Sequence, residues 1–336
     1  MEFIQIPSLK QKVSRVALGT WSMGGWLWGG SDETESMATI HEALDRGINF
    51  IDTAPVYGQG YSEELIGKVL KQYGKRDQIV ISTKFGLTLE ENWAYRDSRK
   101  GTILKELDAS LKRLQVDYID IYLVHWPDIL TPFAETAEVL HSLLKQGKIR
   151  AAGVCNYSTE QMEAFQKGGA LHVLQSPYNL FERAIEDKQL AYCLKKGIGT
   201  MAYSPICRGL LSGKMSKSRK FHGDDIRKNM DAKFKEPRFS QYLLCVEKLK
   251  RWAKEKHQRS VLSLAVRWVL DKGMSTALWG ARKREQLTDL DSVWGWKLAT
   301  QDFQEIDQIL KDTILDPVGP EFMEPPYRTK GFANEK

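Results

Sequence analysis

The 336-residue sequence predicts a (β/α)8 barrel of the TIM type, and three observations carry that expectation. Eight short apolar, β-prone runs alternate with longer amphipathic stretches. Consecutive runs begin 24 to 40 residues apart, apart from one last gap of 77. No G-x-G-x-x-G turn follows the first run. A β–α unit of this size suits parallel strands joined by crossover helices, and eight units make a barrel of about 250 residues plus insertions. An open doubly wound sheet is the alternative, but Gly19-Thr20-Trp21-Ser22-Met23-Gly24-Gly25 has the wrong spacing for a dinucleotide-binding turn.

Residues 16–18, 49–52, 79–84 and 119–125 are the first four predicted strands, and 149–154, 173–175, 199–203 and 276–279 are the other four. Helical spacing of apolar residues predicts helices over 36–44, 62–70, 103–114 and 137–144 between the early strands. The last gap holds two more, over 242–255 and 261–271, behind an insertion at about 205–240. No Pro-, Gly- or Ser-rich boundary divides the chain. We therefore expect one domain over 1–336, with a C-terminal tail at 317–336.

Composition excludes several classes. A hydrophobic content of 42% with 27% charged residues is that of a globular chain rather than a disordered one. There is no apolar run of transmembrane length, and the N-terminus lacks the apolar core of a secretory signal. Cys155, Cys193, Cys207 and Cys245 form no C-x-x-C pair, and the six His are scattered, so a reducing cytoplasmic location and no metal are expected. The net charge is +6, and residues 208–228 alone carry seven cations against Asp224 and Asp225. Such a segment is either a solvated loop or a cover over an anionic ligand. No nucleic-acid-binding motif accompanies it.

In such a barrel, chemistry gathers where strands end, on the C-terminal rim. Asp52, Lys84 and His125 end the second, third and fourth strands, and Tyr57 follows five residues after Asp52. Each alone has an ordinary explanation, as a loop acid, loop aromatic or core histidine. Lys84, however, closes an apolar strand, so it should be buried and paired, and Asp52 is the natural partner. Together the four point to proton donation. A phenol is a weak acid near neutrality, and an adjacent lysine cation should lower its pKa. A neutral His125 could orient a substrate oxygen.

Asp52-Thr53-Ala54-Pro55-Val56-Tyr57-Gly58, Glu64-Leu65-Ile66-Gly67, Thr83-Lys84 and Val124-His125-Trp126-Pro127 resemble the motifs of the aldo-keto reductase family. So do Gly153-Val154-Cys155-Asn156, Gln175-Ser176-Pro177-Tyr178-Asn179 and Ala202-Tyr203-Ser204-Pro205, in the same order along the chain. Residues 278–283 and 316–323 are similar to those of bacterial general-stress members. The resemblance implies a barrel that binds NADP(H) extended across the C-terminal rim. It implies a catalytic tetrad of Asp52, Tyr57, Lys84 and His125, with Tyr57 donating the proton. Nicotinamide contacts would come from Thr20, Trp21, Asp52, Asn156 and Gln175, with Tyr203 stacking on the ring. The pyrophosphate would lie near Ser204, Pro205, Arg208, Leu210 and Lys214, with Arg227 beside it. Cys155 stands where relatives often carry Ser, which weakens a contact from that side chain.

Gly280, Ala281, Arg282 and Gln286 would form the adenosine end. There the planar fork of Arg282 suits a 2′-phosphate, so NADPH is expected over NADH. Trp21, Trp28 and Trp126, with Tyr57 and His125, would line an aromatic substrate cleft that accepts aldehydes and ketones broadly. The expected protein is a carbonyl reductase, monomeric or weakly self-associating. The alternative is a redox-sensing regulatory subunit of the potassium-channel β type, which shares the fold and motifs.

Overall fold

The computed structural model describes residues 1–90 and 93–328. Eight parallel strands close into a barrel in which each pairs with the next and the last with the first. They are β1 (Val16–Gly19), β2 (Phe50–Asp52), β3 (Val80–Phe85), β4 (Ile119–Val124), β5 (Ile149–Cys155), β6 (Val173–Pro177), β7 (Gly199–Tyr203) and β8 (Thr276–Gly280). The predicted strands coincide with these to within one or two residues. His125 falls one place beyond β4 rather than inside it.

The predicted helices are also present, with ends set by local chemistry. Helix α1 (Glu33–Asp45) is capped by the Asp32 carboxylate, which accepts from the Glu35 N–H. Helix α2 (Tyr61–Tyr73) stops at Gly74, which adopts the left-handed conformation. Helices α3 (Lys100–Leu114) and α4 (Phe133–Lys145) follow, and α5 (Thr159–Gln166) opens on a capping box of Ser158 and Gln161. Helices α6 (Ala191–Lys196), α7 (Arg238–His257), α8 (Val261–Asp271) and α9 (Thr300–Thr313) complete the set used below. Among the described residues no helix is long and apolar enough to cross a membrane.

Alternation along the strands divides the core. Alternate strand positions such as Val16, Ile51, Ile81 and Tyr122 face the helices in the larger apolar cluster. Ala17, Phe50, Val80, Ile121, Ala151, Val173, Met201 and Leu278 fill the barrel interior. A hairpin of Phe3–Ile4 and Val13–Ser14 carries Ile6, Leu9 and Val13 onto that interior cluster. Its two-residue strands were too short to announce themselves by periodicity. A second unforeseen hairpin, Leu87–Glu90 with Trp93–Arg96, follows β3.

Candidate active site

The pleat of the strands sets the site. Asp52 lies two residues beyond Phe50, Lys84 four beyond Val80, and His125 four beyond Ile121, so all three continue interior rows at the rim. Gln175 and Tyr203 do the same, two residues beyond Val173 and Met201. Tyr57 is supplied by the β2–α2 loop. That loop lies against the β1–α1 loop so closely that a Cβ on Gly58 (φ +63°) would sit 2.1 Å from the Gly24 carbonyl oxygen. A larger residue there would displace Tyr57.

At the centre is an ion pair. Lys84 Nζ donates to Asp52 Oδ2 at 2.8 Å, to the Thr53 carbonyl at 2.8 Å, and to the Tyr57 hydroxyl at 3.3 Å. The Lys84 side chain is 0% exposed and that of Asp52 3%. Asp52 Oδ1 accepts from Ser82 at 2.7 Å and from Gln175 Nε2 at 2.8 Å. Both carboxylate oxygens and the ammonium are therefore satisfied, which a buried pair requires. Asn156 Nδ2 donates to the His125 carbonyl, and Asn156 Oδ1 accepts from the Tyr203 hydroxyl. Asn156, Ser204, Cys207 and Arg208 all adopt positive φ, so backbone strain collects at the ends of β5 and β7.

Burial pushes the Tyr57 phenol up to about 12, with Lys84 pulling against it. The lysine acts in the expected direction, but burial outweighs it, which corrects the expected lowering. Burial pulls Lys84 down, yet Asp52 and Tyr57 outweigh this and hold the ammonium charged. Burial, then the Lys84 cation, hold His125 well below its usual range, so its imidazole is neutral. The result is a protonated phenol beside a fixed cation and a neutral imidazole. That set can give a proton to an oxygen that becomes negative and orient it meanwhile.

These groups open into a cavity of about 610 Å³ lined by Trp21, Trp28, Tyr57, His125 and Trp126. Trp21 stacks on Tyr57 with ring centres 6.2 Å apart, and Trp28 meets Trp21 edge-on at 5.3 Å. Thr20, Asp52, Asn156, Gln175, Tyr203, Ser204 and Pro205 line the same cavity, as do Arg208, Lys214, Arg227, Gly280, Arg282 and Gln286. The side chains of Leu210 and Ala281 do not reach it. Both are drawn into the apolar layer between barrel and helices.

The basic segment folds as a cover. Asp224 accepts from the backbone N–H groups of Leu27 and Gly29, and the Ile226 N–H donates to the Leu27 carbonyl, tying the cover to the β1–α1 loop. The cations of this cover and of the turn after β8 divide into two kinds. Arg208 is spent on Glu182 and Asp231 at 2.5 and 2.6 Å, with under 2% of each side chain exposed, so its charge is internally neutralised. Arg227 grips Asp225. Among the described residues the Arg282 guanidinium instead donates only to the carbonyls of Trp28 and Gly30, both at 3.0 Å. Burial and the neighbouring Arg227, with Asp225 opposing and Arg219 adding, pull its pKa down. A half-buried cation crowded by cations is a fit for a bound anion.

Glu106 on α3 lies behind the site and accepts from the Gly86 N–H at 2.9 Å, just past Lys84. Burial pushes its carboxyl up to about 8, from the 4.5 of an unburied glutamate. The folded chain thus keeps a proton that the unfolded chain has lost, and stability falls as pH rises from about 4.5 to about 8. Glu106→Gln keeps an acceptor for Gly86 and should flatten the decline. Melting temperatures at pH 6 and pH 8.5 check this, and equal slopes in both proteins would contradict it.

Sequence reasoning missed Arg96 and the Glu182–Asp231–Lys233 group, which are tied to Glu324 and Arg208 by contacts that no local motif marks.

The aldo/keto reductase family model matches residues 15–311. Aldo-keto reductase YhdN of Bacillus subtilis is 52% identical over 329 residues, covering 98% of this chain and 99% of the relative. The NADH-specific methylglyoxal reductase of Escherichia coli is 34% identical over 307 residues, covering 86% and 92%. Among solved structures, the glycerol dehydrogenase AKR11B4 from Gluconobacter oxydans superposes with a TM-score of 0.86 at 45% identity, covering 96% of this chain and 99% of that one. The chain belongs to the aldo/keto reductase family of oxidoreductases.

Proposed function

We propose that the protein reduces aldehydes and ketones to alcohols with NADPH, and that Tyr57 is the proton donor. The observation that carries this is the fully buried Lys84–Asp52 pair with Lys84 Nζ 3.3 Å from the Tyr57 hydroxyl. When bound, the reduced nicotinamide supplies the hydride. The chain's part is electrostatic and positional. As the carbonyl oxygen becomes more basic than a phenolate, Tyr57 releases its proton to it, and Lys84 stabilises the phenolate left behind. Asp52, braced by Ser82 and Gln175, keeps the lysine charged and aimed. Neutral His125 directs the oxygen toward Tyr57. The tryptophans exclude water and contact the substrate's apolar part, which favours a broad range of carbonyl compounds.

The cofactor is held by Thr20, Trp21, Asn156, Gln175 and Tyr203 at the nicotinamide end, by the 204–214 turn and Arg227 at the pyrophosphate, and by Gly280, Arg282 and Gln286 at the adenosine. The preference for NADPH rests on Arg282, which pairs with no carboxylate among the described residues. One relative is named as NADH-specific, so the preference is a property to measure in this chain. Arg282→Ala should raise the NADPH KM by about tenfold or more, the worth of a charge-assisted hydrogen bond, and change the NADH KM less. Steady-state rates with each cofactor read this, and equal losses for both would remove the assignment. The chain acts as one barrel unit in a reducing compartment such as the cytoplasm, in keeping with four buried, unpaired thiols. The regulatory-subunit reading is not favoured, because the relatives above are named as reductases or dehydrogenases.

A further inference from the structure

The chain after α9 runs along the cavity, which Phe322, Met323, Glu324, Pro325 and Pro326 line together with Trp126. This segment has almost no secondary structure, only the single turn Glu321–Met323 and one bridge between Tyr327 and Arg96. Its middle is held by Arg96, at the end of the hairpin that follows β3.

Arg96 is 1% exposed. Its backbone N–H donates to the Pro326 carbonyl at 3.1 Å and its Nε to the Pro325 carbonyl at 2.9 Å. Its Nη2 donates to the Glu324 carboxylate at 2.5 Å, and its Nη1 to the Tyr327 hydroxyl at 2.9 Å and the Pro127 carbonyl at 3.0 Å. The guanidinium lies 4.3 Å from the Tyr327 ring centre and 5.3 Å from that of Trp126. A buried arginine is tolerated only when its charge and donors are met. Here the carboxylate, two backbone acceptors and one aromatic face all come from the tail.

The two ends of the segment have other anchors. Lys233 Nζ donates to the Gly319 carbonyl at 2.9 Å, and Arg328 pairs with Asp128. Undoing Arg96 would therefore free the middle without releasing the ends. Glu324 is half exposed, so the fastening can be undone without uncovering an apolar core.

Residues 319–327 thus run as a strap along the cavity. We propose that Arg96, by fastening the middle of this strap beside Trp126, is a positioning residue that sets the width of the substrate end and hence the size of carbonyl compound accepted. This rests on the carbonyl-reductase reading above. Arg96 touches no reacting atom.

The test uses Arg96→Met, with Glu324→Ala as a milder second variant in case the first folds poorly. kcat/KM is measured for propanal and for 4-phenylbenzaldehyde at saturating NADPH, and amide hydrogen exchange is followed over 319–327. The variants should shift the ratio of the two kcat/KM values toward the bulky aldehyde by about tenfold, the discrimination a modest change of pocket size supplies. Exchange should quicken over 319–327 and stay unchanged in the barrel strands. Faster exchange with an unchanged ratio would overturn the strap as a determinant of size, and unchanged exchange would overturn Arg96 as its fastener. If the wild-type chain reduces neither aldehyde, the carbonyl-reductase reading fails, and the exchange data still decide whether Arg96 holds the strap.

Discussion

Tyr57→Phe is expected to lose about 10³-fold in kcat, within the range for removing a positioned general acid, and to keep its affinity for NADPH. The substitution deletes one hydroxyl and leaves the ring. Trp21, stacked at 6.2 Å, and His125, edge-on at 6.0 Å, keep their neighbour, so the wall of the cavity is preserved. What is lost is the proton held beside Lys84. Because burial keeps the phenol protonated to about pH 12, Tyr57 is charged with its proton throughout the physiological range. The loss in the variant should accordingly be the same at pH 6 and pH 8. Steady-state rates give the first quantity and a fluorescence titration with NADPH the second. A variant that retains most of the wild-type rate would remove Tyr57 from the chemistry.

Lys84→Met is expected to destabilise the fold as well as abolish turnover. It leaves the Asp52 carboxylate buried without its cation, a change that typically costs about 3–5 kcal/mol. Ser82 and Gln175 still donate to Oδ1, which places the cost near the lower end of that range. Asp52→Asn combined with Lys84→Met should recover part of the loss, because neither partner then carries a buried charge. Urea denaturation of the wild type, both single variants and the double variant measures the coupling. Strict additivity would mean that the pair does not act as a unit.

Much of this was legible in the sequence because it is local. The strand runs, their spacing and the polar residues that end them follow from pleat and periodicity, so the barrel and the meeting of Asp52, Lys84 and His125 could be read from the chain. Tyr57 was legible through its distance from Asp52. What could not be read depends on distant partners. Nothing near Arg208 in sequence signals that Glu182 and Asp231 neutralise it, so it resembled a free phosphate ligand as much as Arg282 did. Arg96 lies 228 residues from Glu324, and neither position looks unusual alone. The balance at Tyr57 was also out of reach. A sequence can show that a lysine is near, but not how deeply the phenol is buried.

The activity proposed for this chain is the transfer of hydride from NADPH to a carbonyl compound. The most direct measurement is NADPH absorbance during incubation with a panel of aldehydes and ketones, with NADH run in parallel. Oxidation of NADPH that requires both the carbonyl compound and an intact Tyr57, with alcohol formed in equal amount, is the expected result. Saturable NADPH binding with no alcohol formed from any member of the panel would contradict it.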